Sequence, residues 1–260
     1  MNEYKYIRCG EENRIGIITI DNPPANSLSY AVLSELGNVL DDVSSDTSMR
    51  ALTITGSSGK IFVSGANVKE LAGMDKSSGT QTVSYVQKVF SKIWLFPKPV
   101  FCAINGHALG GGLELALHCD FRIAVEGARF GQPEINLGVL PGAGGTQLLP
   151  RLIGLSKARW LLLSGQTFSS QEALACGLVD RVVKPESLLD VTSEMALQIA
   201  EKPPLAVKAI KKMLRLAQSR GLEEGMKKET EMFGELCATK DKSEGVAAFI
   251  EGRKANFQGK

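Results

Sequence analysis

The chain has 260 residues, which suits one large domain or a core with a small terminal part. Apolar residues make up 43%, charged residues 22% and the net charge is +2, a balance with no strong electrostatic pull toward nucleic acid or an anionic membrane. No apolar run approaches the roughly 18–20 residues of a membrane helix. The opening Met1-Asn2-Glu3-Tyr4 leads into no apolar signal region, and five cysteines (Cys9, Cys102, Cys119, Cys176, Cys237) show no paired spacing. Reduced thiols in a cytoplasmic protein are the expectation.

Ile15–Ile20, rich in isoleucine and ended by Asp21-Asn22-Pro23-Pro24, predicts a strand. Val32, Leu33, Leu36, Val39, Leu40 and Val43 recur at helical spacing and predict a helix over 30–43. Arg50–Thr55 predicts a second strand, ended by Gly56 and the Ser57-Ser58-Gly59 loop. A helix is expected over 80–95. Pro97 and Pro99 then force an extended entry into the strand Val100–Ile104. Asn105-Gly106 signals a turn, Gly110-Gly111-Gly112 opens an apolar helix over Leu113–Cys119, and Phe121–Val125 predicts a further strand. Strand, glycine-bearing loop and helix thus recur, with a coarse period of about 50 residues. After Leu178–Val183 strand signals fade. Residues 205–217 carry Ala206, Ala209, Ile210, Met213, Leu214 and Ala217 on one face and lysines on the other. Further helices are expected over 222–236 and 243–256. The division read from this pattern is a core over 1–200 and a helical subdomain over 201–260.

Several chemistries fail on spacing. GxSxG, GxGxxG and GxxxxGK[ST] are absent. His107 and His118 are too far apart for a helical metal pair, so no metal site is expected and both read as structural. Two glutamates stand in unusual company. Glu114 lies in the first turn of the apolar helix after the glycine run, and Glu134 lies in Phe130-Gly131-Gln132-Pro133-Glu134-Ile135. Each could be a helix-start carboxylate favoured by the macrodipole. If both instead face one pocket, burial and mutual repulsion raise their pKa values, and one can be protonated while the other is ionised near neutral pH. Such a pair can take a proton from water and give one to carbon.

Three segments resemble the crotonase superfamily, and within it the enoyl-CoA hydratases. They are Ile61–Glu70, Ala103–Ala116, and Phe130–Gly138 running into Pro141–Gln147; the ending Phe249–Phe257 is a weaker match. The likeness spans nearly the whole chain in order. It implies an α/β fold, a crotonase-like spiral of ββα repeats with a C-terminal helical subdomain, and commonly a homotrimer or dimer of trimers. It also implies that Ala66 and Gly111 supply the N–H groups of an oxyanion hole for the thioester oxygen, and that Glu114 and Glu134 hold and activate water. Pro24, Ala25, Gly65, Asn67, Val68 and Lys69 would line the substrate entrance, with Gly142 at the water. Phe233 would reach a neighbour's adenine or serve the core, and Lys69 could equally be a solvated lysine. Asn67 stands where many relatives carry aspartate. Gly252 stands where a basic residue often precedes Arg253-Lys254.

The activity so implied is reversible hydration of a trans-2-enoyl-CoA, as in fatty-acid or branched-chain amino-acid breakdown. No cofactor is expected, because coenzyme A is part of the substrate. A Δ3,Δ2-enoyl-CoA isomerase, or another acyl-CoA lyase of the superfamily, is the alternative, although those reactions often need only one of the two carboxylates. An RNA-associated binding protein is the alternative of another class, and the balanced charge argues against it.

Overall fold

The computed structural model describes residues 4–57 and 59–260; Met1–Glu3 and Ser58, which belong to the N-terminal and loop readings above, lie outside them. Strands β1 (Ile7–Glu12) and β2 (Ile15–Ile20) form an antiparallel hairpin about Asn13 and Arg14, both at positive φ. Helix α1 (Tyr30–Ser44) follows, capped by Ser29, whose hydroxyl accepts from the Val32 N–H. Strands β3 (Ala51–Gly56) and β4 (Ile61–Val63) lead to the short helix α2 (Val68–Leu71) and to α3 (Lys76–Trp94), which opens on a capping box between Asp75 and Ser78. Next come β5 (Val100–Ile104), β6 (His107–Leu109) and α4 (Gly111–His118), then β7 (Phe121–Val125), β8 (Arg129–Gly131) and a 3-10 turn over Pro133–Leu137. Helices α5 (Gly145–Ile153) and α6 (Leu155–Ser164), strand β9 (Thr167–Ser169), helix α7 (Ser170–Ala175) and strand β10 (Arg181–Val183) complete the spiral. Helices α8 (Leu188–Ala200), α9 (Pro204–Ala217), α10 (Leu222–Cys237) and α11 (Lys240–Glu251) end the chain.

Among the described residues the strands form a six-stranded sheet, in the order β1-β2-β3-β5-β7-β10, and a four-stranded sheet, β4-β6-β8-β9. The turns β3-β4, β5-β6 and β7-β8 each give one strand to each sheet, which is a spiral of ββα units. From β2 to β10 the larger sheet is parallel. Parallel strands are covered on both faces, so β3 and β5 are buried throughout; β5 reads as an unbroken apolar run, and β3 as one broken only by Thr53 and Thr55. Helix α8 lies across β2, β3, β5 and β7.

The structure corrects four expectations. The spacing of about 50 residues holds from β3 to β5 and not from β5 to β7, because the long α3 separates the first pair and the short α4 the second. The segment ahead of residue 200 carries α8, unread in the sequence, with Leu188, Thr192 and Ala196 buried one turn apart. Helix α11 covers Lys240–Glu251 rather than 243–256, since Gly252 at φ 67 stops it. The tail then folds back, so that the Gln258 and Gly259 N–H groups donate to the Asp241 carboxylate at 2.7 and 2.8 Å. In α9 the expected faces are partly exchanged. Lys211 is buried in an ion pair with Asp120 and donates to the Lys98 carbonyl at 2.8 Å, while Ile210 and Leu214 are 58% and 62% exposed.

Candidate active site

Helix α4 is placed by its glycines. Gly110 has φ 52 and ψ −126, a conformation open only to glycine, and a Cβ there would stand 2.6 Å from Glu134 Oε1. At Gly112 a Cβ would overlap the Val63 carbonyl, so the helix lies directly on β4. Gly111 is the first residue of α4, and its Cβ position lies 3.5 Å from the Gly65 Cα and 3.8 Å from the Ala66 nitrogen. Among the described residues neither the Ala66 nor the Gly111 N–H has a protein acceptor. Two free donors therefore stand side by side at a positive helix end.

Neighbouring loops hold that pair in place. Leu28 N–H donates to the Gly65 carbonyl at 2.8 Å, and Ser64 N–H to the Ala25 carbonyl at 3.1 Å. Asn26 is buried and donates from Nδ2 to the Phe62 carbonyl at 3.0 Å, bolting the Pro24–Ser27 turn to β4. Pro24, Ala25, Gly65 and Ala66 thus come together. Asn67 caps α2 by accepting from the Lys69 N–H at 3.1 Å, and Val68 and Lys69 lie exposed beside it.

Behind this edge lie the carboxylates. Glu114, 3% exposed, accepts at Oε1 from the N–H groups of Ala143 and Gly145 at 2.7 and 2.8 Å. Burial raises its pKa to about 7 and the Glu134 charge adds to the rise, against those two hydrogen bonds. Glu134, on the 3-10 turn, is half-buried, and desolvation raises its pKa as well. Gln132 is fully buried between them. Its amide nitrogen, turned toward Glu134, donates to the two carboxylate oxygens at 3.1 and 3.2 Å. A Cβ at Gly145 would meet that amide at 2.8 Å and Glu114 Oε1 at 3.1 Å, so the three side chains share one small volume. Gly142 belongs to the same loop, and its carbonyl accepts from Gln87 Nε2 of α3 at 2.7 Å.

Both histidines are engaged with backbone. His118 Nδ1 lies 2.8 Å from the Glu114 carbonyl, and His107 Nδ1 accepts from the Arg129 N–H at 3.1 Å. Phe233 stands 70% exposed on α10, which excludes the core role. Arg253 is paired with Glu244 and Glu251 of its own chain. Sequence reasoning did not single out Gln132, Ala143 or Gly145. A glutamine within the apolar Phe130–Ile135 stretch was a usable signal for the first; the other two act through backbone and leave none.

A model of the family described as enoyl-CoA hydratase/isomerase matches residues 10–260. The chain belongs to that family. A crotonyl-CoA hydratase of Syntrophomonas wolfei is 41% identical, over 98% of each chain. A short-chain-enoyl-CoA hydratase of Clostridium acetobutylicum is 40% identical, over 94% of each. A crystal structure of enoyl-CoA hydratase from Bacillus anthracis superposes with a TM-score of 0.94 at 39% identity, covering 98% of this chain and 100% of that one. Among the described residues no group of three or more His, Cys, Asp or Glu side chains could hold a metal ion. No helix among them is long and apolar enough to cross a membrane.

Proposed function

We propose that this chain is an enoyl-CoA hydratase, adding water reversibly across the 2,3 double bond of a trans-2-enoyl-CoA. The observation that carries the reading is the pairing of two carboxylates around Gln132, both with raised pKa values, beside two free N–H donors. The thioester oxygen accepts from the Ala66 and Gly111 N–H groups, which stabilise the enolate formed as water adds; one such donor contributes about 3–4 kcal/mol in well-studied enzymes. Water rests between the glutamates. Glu114, its Oε1 held by Ala143 and Gly145, takes a proton from water as the oxygen bonds to the β-carbon. Glu134 gives a proton to the α-carbon. The pair ends with as many protons as it began with, in exchanged places, and the two titrate as one coupled unit.

Pro24, Ala25, Gly65, Asn67, Val68 and Lys69 form the thioester and pantetheine entrance in this reading, with Gly142 beside the water. The short acyl groups named for the two relatives suit the closed surroundings of the pair. A cytoplasmic homotrimer or dimer of trimers acting in fatty-acid metabolism completes the proposal, with Phe233 of one subunit at the nucleotide end of a neighbour's substrate. The isomerase alternative needs one carboxylate to shuttle a proton between carbons and leaves the second unexplained.

The test is loss of the conjugated thioester absorbance of crotonyl-CoA. Glu114→Gln and Glu134→Gln are each expected to lower kcat by about 10²–10⁴-fold, the usual worth of a general acid or base. Parent-like rates in both variants refute the mechanism. A parent that only interconverts 3-enoyl and 2-enoyl isomers establishes the isomerase instead.

A further inference from the structure

Helix α3 touches the active-site loop at Gly142. A Cβ there would stand 2.9 Å from Cγ2 and 3.2 Å from Cγ1 of Val83, so the valine methyls occupy the space a side chain would take. One turn along, Gln87 holds the same residue through its carbonyl at 2.7 Å. Val83 and Gln87 are four residues apart and share a face of the helix. One further turn on, Ser91 and Trp94 line a cleft of about 880 Å³ that continues past His118 and Leu148 to Met213 and Leu216. The loop borders both spaces: the Ala143 N–H holds Glu114, and Gly144 lines the cleft.

We infer that Val83, braced by Gln87 against Gly142, is the wall that ends the acyl site and sets a preference for short acyl chains. This rests on the hydratase reading. With the thioester oxygen at Ala66 and Gly111 and the β-carbon at the water, the chain beyond that carbon runs away from the oxyanion donors toward the Gly142 loop. Val83 is the apolar side chain standing on that loop, 37% exposed and free to meet a ligand. The same loop borders, at Gly144, a cleft of a size ordinary for ligands, where Trp94, Leu148, Met213 and Leu216 stand among charged side chains such as Arg151, Lys212 and Lys227. A valine filling the space at Gly142 limits the length of the chain; a smaller residue gives it room, and each methylene then buried is worth about fourfold in affinity.

The experiment compares kcat/KM for crotonyl-CoA and trans-2-decenoyl-CoA, together with calorimetric Kd values for butyryl-CoA and decanoyl-CoA, in the parent, Val83→Ala and Val83→Phe. Val83→Ala should raise the ten-carbon to four-carbon preference at least tenfold in both measurements, and Val83→Phe should lower it. A binding preference within twofold of the parent in both variants overturns the wall. A binding preference that shifts as expected in a protein that hydrates neither substrate supports the wall and removes the hydratase reading.

Discussion

Glu114 carries its charge at a cost, because it is buried and faces a second carboxylate. Its folded-state pKa of about 7 lies above the 4.5 of an unperturbed glutamate. Between those values the native state binds more protons than the unfolded one, so stability falls as pH rises from about 4.5 through about 7. Glu114→Gln removes the titration while its amide oxygen can still accept from Ala143 and Gly145. The variant should be more stable than the parent at pH 8 by on the order of 1–3 kcal/mol, and little changed near pH 4.5, as read from urea midpoints at the two pH values. Its hydratase rate should fall at the same time. For the parent, kcat/KM should trace a bell around neutral pH, declining in acid as both carboxyls protonate and in alkali as both ionise; a flat profile from pH 5 to 9 would contradict a shared proton. At this scale the two glutamates were conspicuous as charges amid apolar neighbours, but their site role was legible only through the resemblance of the segments that hold them. Gln132 was less so, since its importance depends on what lies on either side of it in space.

The glycine run is where element geometry is strictest. Gly112→Ala would drive a methyl into the Val63 carbonyl and should cost about 1–3 kcal/mol or prevent folding, whereas Gly79→Ala in α3 meets nothing within 4 Å and should be neutral or stabilising by up to about 1 kcal/mol. Thermal midpoints of the two variants give the comparison. Helix α9 depends on a single buried cation. Lys211→Met removes the ion-pair partner of Asp120, which keeps the Val100 N–H, and should lower stability by about 3 kcal/mol, a fall in midpoint on the order of 5–10 °C. Strands β2, β3, β5 and β7 were legible because buried parallel strands are rich in apolar and β-branched residues. Strand β1 was not, as an edge strand with Arg8, Glu11 and Glu12 lacks that signal. The three-residue strands of the second sheet are too short to show a period.

The single chain leaves several large apolar side chains open on its C-terminal helices. Leu222, Met226, Phe233, Phe249 and Ile250 are all exposed, an unusual number of large apolar side chains for two helices to leave uncovered. Under the proposed trimer these residues are covered by neighbours. Sedimentation should then give a species of three or six chains, and the double variant Phe249→Asp, Ile250→Asp should dissociate it. A monomeric parent would refute that assembly. The sequence by itself determined the main strands of the larger sheet and the helical C-terminus, because burial periodicity and glycine requirements are local properties of the chain; the spiral and the roles of the two glutamates came from the resemblance of whole segments to a family. Only the tertiary structure decided that Gln132 joins the pair, that Lys211 is buried while Ile210 is not, and that Val83 closes on Gly142. Those facts depend on which loops a parallel sheet brings together across long separations, and nothing in a residue's own neighbourhood records them.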